Sequence, residues 1–279
     1  MNFKELRTAQ GITLKQAANG ICSIPMLSRW ENGNGKMDFE KTIRLLERIN
    51  ITASEYISLN KIDLADEISS NLQKGWINKD QNYLKSLAEK RLAMFHTSHQ
   101  LIDLDYAAIS CALYERLSNI NLFPIADQNK INKQLSKLTI WGQENLSLFQ
   151  SVINILSSAI VFQVSSQIIA NLDFIKKSGS STLHLAITTL FEVVIHLLKD
   201  KKINYSRRIL NEINKLSLPD SEMQLIVGRS FLNALLKYLD DKDNKEILEI
   251  INFLVKLNMT KTASYFLQTF KNIAKSNNI

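Results

Sequence analysis

Chain breakers are scarce in this sequence, with eight glycines and three prolines in 279 residues. Hairpins and sandwiches draw on both residue types at their turns, so the shortage argues against a β-rich chain and for many helices. Cysteine is scarcer still. Cys22 and Cys111 form neither a disulfide framework nor a metal-ligand pattern, which fits a reduced, cytoplasmic chain. Residues 1–10 are charged and lack the apolar core of a signal peptide, and no run of 18 uncharged apolar residues follows, so no membrane contact is expected. The most weakly charged stretch, 145–174, is interrupted by Ser, Gln and Asn and reads as a pair of core helices. P-loop, GxSxG, HExxH and glycine-rich dinucleotide fingerprints are missing, so neither an enzymatic activity nor a cofactor is expected.

What is present is apolar side chain and positive charge. Hydrophobic residues make up 45% of the chain, ample for a packed core, and the net charge is +7. Residues 1–36 carry five Lys/Arg against two Glu, a basic head suited to phosphate contact.

The first 60 residues divide into five short helical segments. The first, 3–10, ends at Gly11, and Thr13 caps a second that stops at Gly20. Ser23 caps a third over 24–32, with Pro25 in the first turn and Gly33 and Gly35 after it. A fourth spans 38–49 with Phe39, Ile43, Leu46 and Ile49 on one stripe, and Thr52-Ala53-Ser54-Glu55 is a capping box opening a fifth. Beyond residue 62 the pattern changes to long amphipathic helices near 62–76, 81–96, 101–118, 126–138, 144–156, 159–176, 181–199, 204–216, 220–240, 244–257 and 259–276. Alternate members start near 144, 181, 220 and 259, two helices per step, which is the spacing of a tetratricopeptide-like solenoid. The expectation is an all-α chain with a helix-turn-helix domain over 1–61 and a helical-repeat ligand-binding and dimerisation domain over 62–279.

Leu6, Arg7, Gly11, Ala17, Ala18, Ile21, Ser23, Leu27 and the run Ser28-Arg29-Trp30-Glu31-Asn32-Gly33 resemble the phage-repressor class of helix-turn-helix proteins. Ala18 is small where two helices cross, and Ile21, Leu27 and Trp30 seal the core beneath the third helix. That resemblance implies a structural ion pair between Arg7 and Glu31. The opposite face of the third helix presents Ile24, Pro25, Ser28 and Arg29 to base edges, where Arg29 can donate twice to a guanine. Ser23, Asn34 and Lys36 sit at its ends, where the phosphates of a double-stranded operator pass.

The stretch 18–33, together with Trp141-Gly142-Gln143-Glu144-Asn145-Leu146-Ser147-Leu148-Phe149, resembles the Rgg/GadR/MutR family of Gram-positive regulators. Met26 and Trp30 depart from the residues that family favours there. The resemblance implies a homodimer whose helical repeats bind a short, mostly apolar signalling peptide on their concave face and thereby control operator binding. Polar residues opposite the apolar stripes are the candidate peptide contacts: Gln150 and Asn154, then His184, Thr188 and Glu192, then Arg229, Asn233 and Lys237. An Asn amide both donates and accepts, so Asn154 and Asn233 suit a peptide backbone, and Arg229 suits a carboxylate. Two alternatives stay open: a regulator answering to a small molecule or to no ligand, and a DNA-tethered scaffold for a partner protein. His96 and His99 lack a third ligand and read as a surface pair, while Cys22 and Cys111 read as packing residues.

Overall fold

A computed structural model describes residues 2–60, 72 and 74–277, and the chain divides into two compact units between Lys74 and Gly75. The expected 61/62 boundary and most of the expected helix over 62–76 lie outside the described residues. Every regular element among the described residues is helical.

The first unit holds α1 (Phe3–Ala9), α2 (Leu14–Ala18), α3 (Ile24–Glu31), α4 (Phe39–Arg48) and α5 (Ala53–Asn60). Side-chain caps start most of them: Thr13 accepts from the Gln16 N–H, Ser23 from Met26, Asp38 from Lys41 and Thr52 from Glu55. Glycine in the left-handed region ends α1 and α3. At the close of α3, Gly33 (φ +74°) donates to the Trp30 carbonyl and Asn34 to that of Arg29, satisfying two end carbonyls that a β-carbon at Gly33 would strain. The core joins Phe3, Leu6, Ala17, Ala18, Ile21, Leu27, Leu45, Leu46 and Ile49. One expectation fails here. Phe39 is 80% exposed and Leu45 takes the core position, because Phe39 occupies the first position of α4, before that helix packs against the unit.

The second unit contains α6 (Gln81–Ser98), α7 (Leu101–Ser118), α8 (Ile125–Leu135), α9 (Gln143–Val152), α10 (Ser158–Ala170), α11 (Leu172–Lys177), α12 (Ser180–Lys199), α13 (Ile203–Asn214), α14 (Met223–Asp241), α15 (Lys245–Lys256) and α16 (Thr260–Ser276). α6 and α7 form a hairpin turned by His99 in the left-handed conformation, so His99 ends a helix while His96 pairs with Asp127 at 2.7 Å. The helix expected over 159–176 is broken at Asn171. Its side-chain amide bonds back to the Gln167 carbonyl and its backbone leaves helical geometry, a local competition typical of Asn. α14 begins at 223 rather than 220, behind a 3-10 turn over Asp220–Glu222.

α12 is the hub. It packs against α9, α10, α11, α13, α14 and α16, and buries Ala186, Ile187, Leu190, Val193, Val194 and Leu197 completely. By length and composition α12 could cross a bilayer, but in this fold its apolar sides are the core of a helical stack. Trp141 and Phe149 meet edge to face with ring centres 6.0 Å apart, both fully buried at the start of the α9 layer. Cys111 is fully buried in the same core, and burial pushes its thiol up to about 12.

Candidate nucleic-acid interface and ligand cavity

α3 has two unlike sides. Leu27 is fully buried, and Trp30 lies against Phe3 with ring centres 5.0 Å apart. Outward stand Ile24 (44% exposed), Pro25 and Arg29, with Ser28 half-buried beside them. Arg29 has no side-chain hydrogen bond or ion pair among the described residues, so its five donors are available to a ligand. Ser23, Asn34 and Lys36 are exposed at the two ends of the helix. An arginine on the outer face of a short, capped helix can lie in a major groove and meet the acceptors of a guanine edge.

The pose of α3 is fastened from two directions. Arg7 donates from Nε to Glu31 Oε1 at 2.7 Å and from Nη2 to Oε2 at 2.9 Å, while Nη1 donates to the Ile12 carbonyl at 2.6 Å. The hydrogen bonds from Arg7 to Glu31 hold the guanidinium pKa above its ordinary value. With side chains only 6% and 2% exposed, this fork ties α1 to the last residue of α3 where water contributes little. On the other side, Arg44 donates to the Gly20 carbonyl at 3.1 Å and Arg48 to that of Gln16 at 2.8 Å, clamping α4 to α2 and the turn before α3. Sequence reading missed both arginines, because their partners are backbone groups distant in sequence.

The eight candidate peptide contacts are spread over the helical stack, and several of them have partners within the fold. Asn154 donates to the Ala112 carbonyl at 3.0 Å and to Glu115, and accepts from Arg116, so its amide joins α7 to the end of the α9 layer. Arg116 also donates to the backbone carbonyl of Gln150 at 3.1 Å, which leaves the Gln150 side chain unengaged by that bond. Asn233 exchanges hydrogen bonds with Asn214 at 3.0 and 3.1 Å, and Arg229 donates to the Leu216 carbonyl, so both face α13 or the turn after it. His184 is 3.0 Å from Glu222, and Lys237 is paired with Glu246 at 3.3 Å. Polar residues at four-residue spacing thus serve contacts between successive helices.

Thr188 and Glu192 are different. Both line a cavity of about 380 Å³ between α12, α14, α15 and α16. Phe191, Phe231, Leu254, Met259 and Phe266 form much of its wall, and the half-exposed Met223, Phe253, Leu257 and Tyr265 surround it. The Tyr265 hydroxyl donates to Glu192 Oε1 at 2.7 Å, bridging α16 to α12. Burial, and then the Glu192 charge, push the Tyr265 phenol far up, which keeps it a neutral donor. These wall residues escaped sequence reading because they come from four helices. One signal was available: Gly228 stands in the middle of a long helix, where it destabilises by roughly 1 kcal/mol relative to Ala and therefore suggests a packing reason.

Residues 78–268 match the model of the C-terminal domain of the HTH-type transcriptional regulator Rgg, and residues 3–56 match a helix-turn-helix model. Three solved structures share the fold at low identity. The SHP pheromone receptor Rgg2 of Streptococcus dysgalactiae is 12% identical at a TM-score of 0.79, with 97% of this chain and 98% of that one aligned. A candidate transcriptional regulator from Listeria monocytogenes EGD-e is 16% identical at 0.76, covering 99% and 97%. PrgX in its complex with cCF10 is 15% identical at 0.68, covering 98% and 91%.

Proposed function

Because the chain belongs to the Rgg family of helix-turn-helix transcriptional regulators, we propose that it acts in the cytoplasm as a homodimer whose operator affinity is set by a short apolar peptide bound to its helical repeats. Operator binding is assigned to residues 1–61, and ligand binding and dimerisation to 62–279. The observation that carries the DNA half is the two-sided α3: a buried Leu27, a fastened Glu31, and an exposed Arg29 with no side-chain partner among the described residues. Ile24, Pro25, Ser28 and Arg29 face the base edges, and Ser23, Asn34 and Lys36 the phosphates.

Peptide sensing is supported by the apolar cavity among the last repeats and by the pheromone receptors that share the fold. Of the eight proposed peptide contacts, Thr188 and Glu192 line this cavity, and this reading rests on them first. A ligand that fits one arrangement of the repeats better than another shifts the population of the dimer, and so the disposition of its two reading heads. The test is fluorescence anisotropy of the purified protein on its own upstream DNA, titrated with synthetic apolar peptides encoded beside the gene. Sequence-specific binding that a peptide strengthens or weakens is the expected result. Binding that does not discriminate the upstream DNA from random duplex overturns the operator assignment, and indifference to every peptide overturns the sensor assignment.

A further inference from the structure

Inside the cavity between α12, α14, α15 and α16, Gly228 lies under the ring of Phe191. A β-carbon there would come 2.8 Å from Phe191 Cε2, closer than such atoms approach, and a tight 3.2 Å from Cδ2. The missing side chain lets the ring edge approach the backbone of α14, where a β-carbon would push it toward the space that it now borders. Of the polar groups in the lining, the Thr188 hydroxyl donates to its own helix, Glu192 and Tyr265 hold each other, Gln224 and Lys261 are exposed, and Thr262 is half-buried. What remains is apolar wall, with two methionines, Met223 and Met259, able to adapt to shape. A volume of about 380 Å³ lies near the lower end of ligand pockets, roughly 300–1,000 Å³.

We propose that this cavity seats one uncharged, bulky apolar group of a ligand, an aromatic ring or a branched aliphatic chain, and that Gly228 sets the size admitted by holding Phe191 against α14. The occupant brings no buried donor or acceptor, since the lining leaves few unpaired for it to meet. Its polar remainder stays at the mouth, beside the Glu192–Tyr265 bridge and Lys261. This rests on unit 2 being the sensor, and it names what that sensor recognises. The group could belong to a peptide side chain or to a free small molecule, with the same chemistry in the cavity.

The probe is N-phenyl-1-naphthylamine, a neutral aromatic fluorophore, titrated into the full-length protein without peptide. Saturable uptake near one equivalent per chain is expected. Gly228→Ala should weaken it about tenfold or more, because the displaced ring overfills the cavity. That variant should stay folded and bind DNA as before, because alanine's helix preference offsets part of the cost of displacing the ring. Adding Phe191→Leu to Gly228→Ala should restore uptake to within about threefold by removing the ring edge that clashes. Absence of saturable uptake by the parent, or equal uptake by Gly228→Ala, overturns the proposal. Peptide-driven change in operator affinity is scored separately. If a peptide acts on the parent but the fluorophore neither binds nor competes with it, the cavity assignment falls and peptide sensing stands. If uptake depends on Gly228 while no peptide acts, the cavity stands and its occupant is a free apolar molecule.

Discussion

Replacing Arg7 by alanine should loosen the DNA-reading head while leaving the helical repeats folded. The guanidinium makes three hydrogen bonds, two to Glu31 and one to the Ile12 carbonyl, and the Glu31 side chain is only 2% exposed. Truncation therefore leaves a carboxylate with neither partner nor full hydration, a loss on the order of 3–5 kcal/mol. A head of about 60 residues has a total stability of roughly 3–9 kcal/mol at the usual value per residue. The single change thus removes a third of the margin at least and can remove all of it. Amide hydrogen exchange read by mass spectrometry resolves the two units: protection over residues 14–31 should collapse while peptides from α12 keep theirs. Replacing Arg7 by Met together with Glu31 by Leu should recover most of the loss, since no charge is then stranded. If Arg7→Ala costs the head less than about 1 kcal/mol, the value of an exposed pair, the fork does not fasten α3.

Arg29→Ala should lower specific operator affinity by about 1–3 kcal/mol with the fold intact, whereas Lys36→Ala should weaken all sequences alike and reduce the salt slope by about one; equal losses on operator and random DNA for Arg29→Ala would show that it reads no base. Asp105 is pushed up to about 6 by burial, against which hydrogen bonds from Gln134 only partly act. Folding therefore favours its protonated form, and that contribution is fully present below about pH 4 and lost as pH rises through about 6. Asp105→Asn should stabilise unit 2 at pH 7 by roughly 2–3 kcal/mol and flatten this part of the pH profile, and an unchanged profile in denaturant melts would refute the assignment. Asn154→Ala should destabilise unit 2 by about 1–3 kcal/mol through the groups it leaves unpaired, with ligand affinity unaltered; lost affinity at full stability would return Asn154 to the binding site.

Local chemistry was legible in the sequence, whereas of the long-range partnerships the Arg7–Glu31 pair was expected only through a family resemblance and the others were not seen. Thr13, Ser23 and Thr52 announce helix starts because a cap needs a partner only two or three residues away, and Gly11 and Gly33 announce ends for the same reason. The third helix could be divided into a core side and an exposed side from its spacing, since helical periodicity places Leu27 and Arg29 on different faces. Asn171 shows where that reasoning stops. Its side chain competes with the helix only because the chain turns there, and periodicity on either side runs on without a gap. Asn154 and Asn233 make a related point: in a stack of helices, a polar residue opposite the buried stripe meets the next helix as readily as a ligand, and spacing alone does not say which. The Gly228–Phe191 contact joins residues 37 positions apart, the distance of one helical repeat, and nothing short of the packed repeats brings them together.

The division of α3 between a side that holds and a side proposed to read DNA has an evolutionary consequence. Leu27, Trp30 and Glu31 carry the attachment to the head, while Ile24, Pro25, Ser28 and Arg29 carry little of it. Substitutions on the outer face can accumulate at almost no cost in folding, so a duplicated copy of this gene can drift to a new operator through intermediates that all remain folded. Selection on the regulator and selection on the fold then act on separate residues of one eight-residue helix.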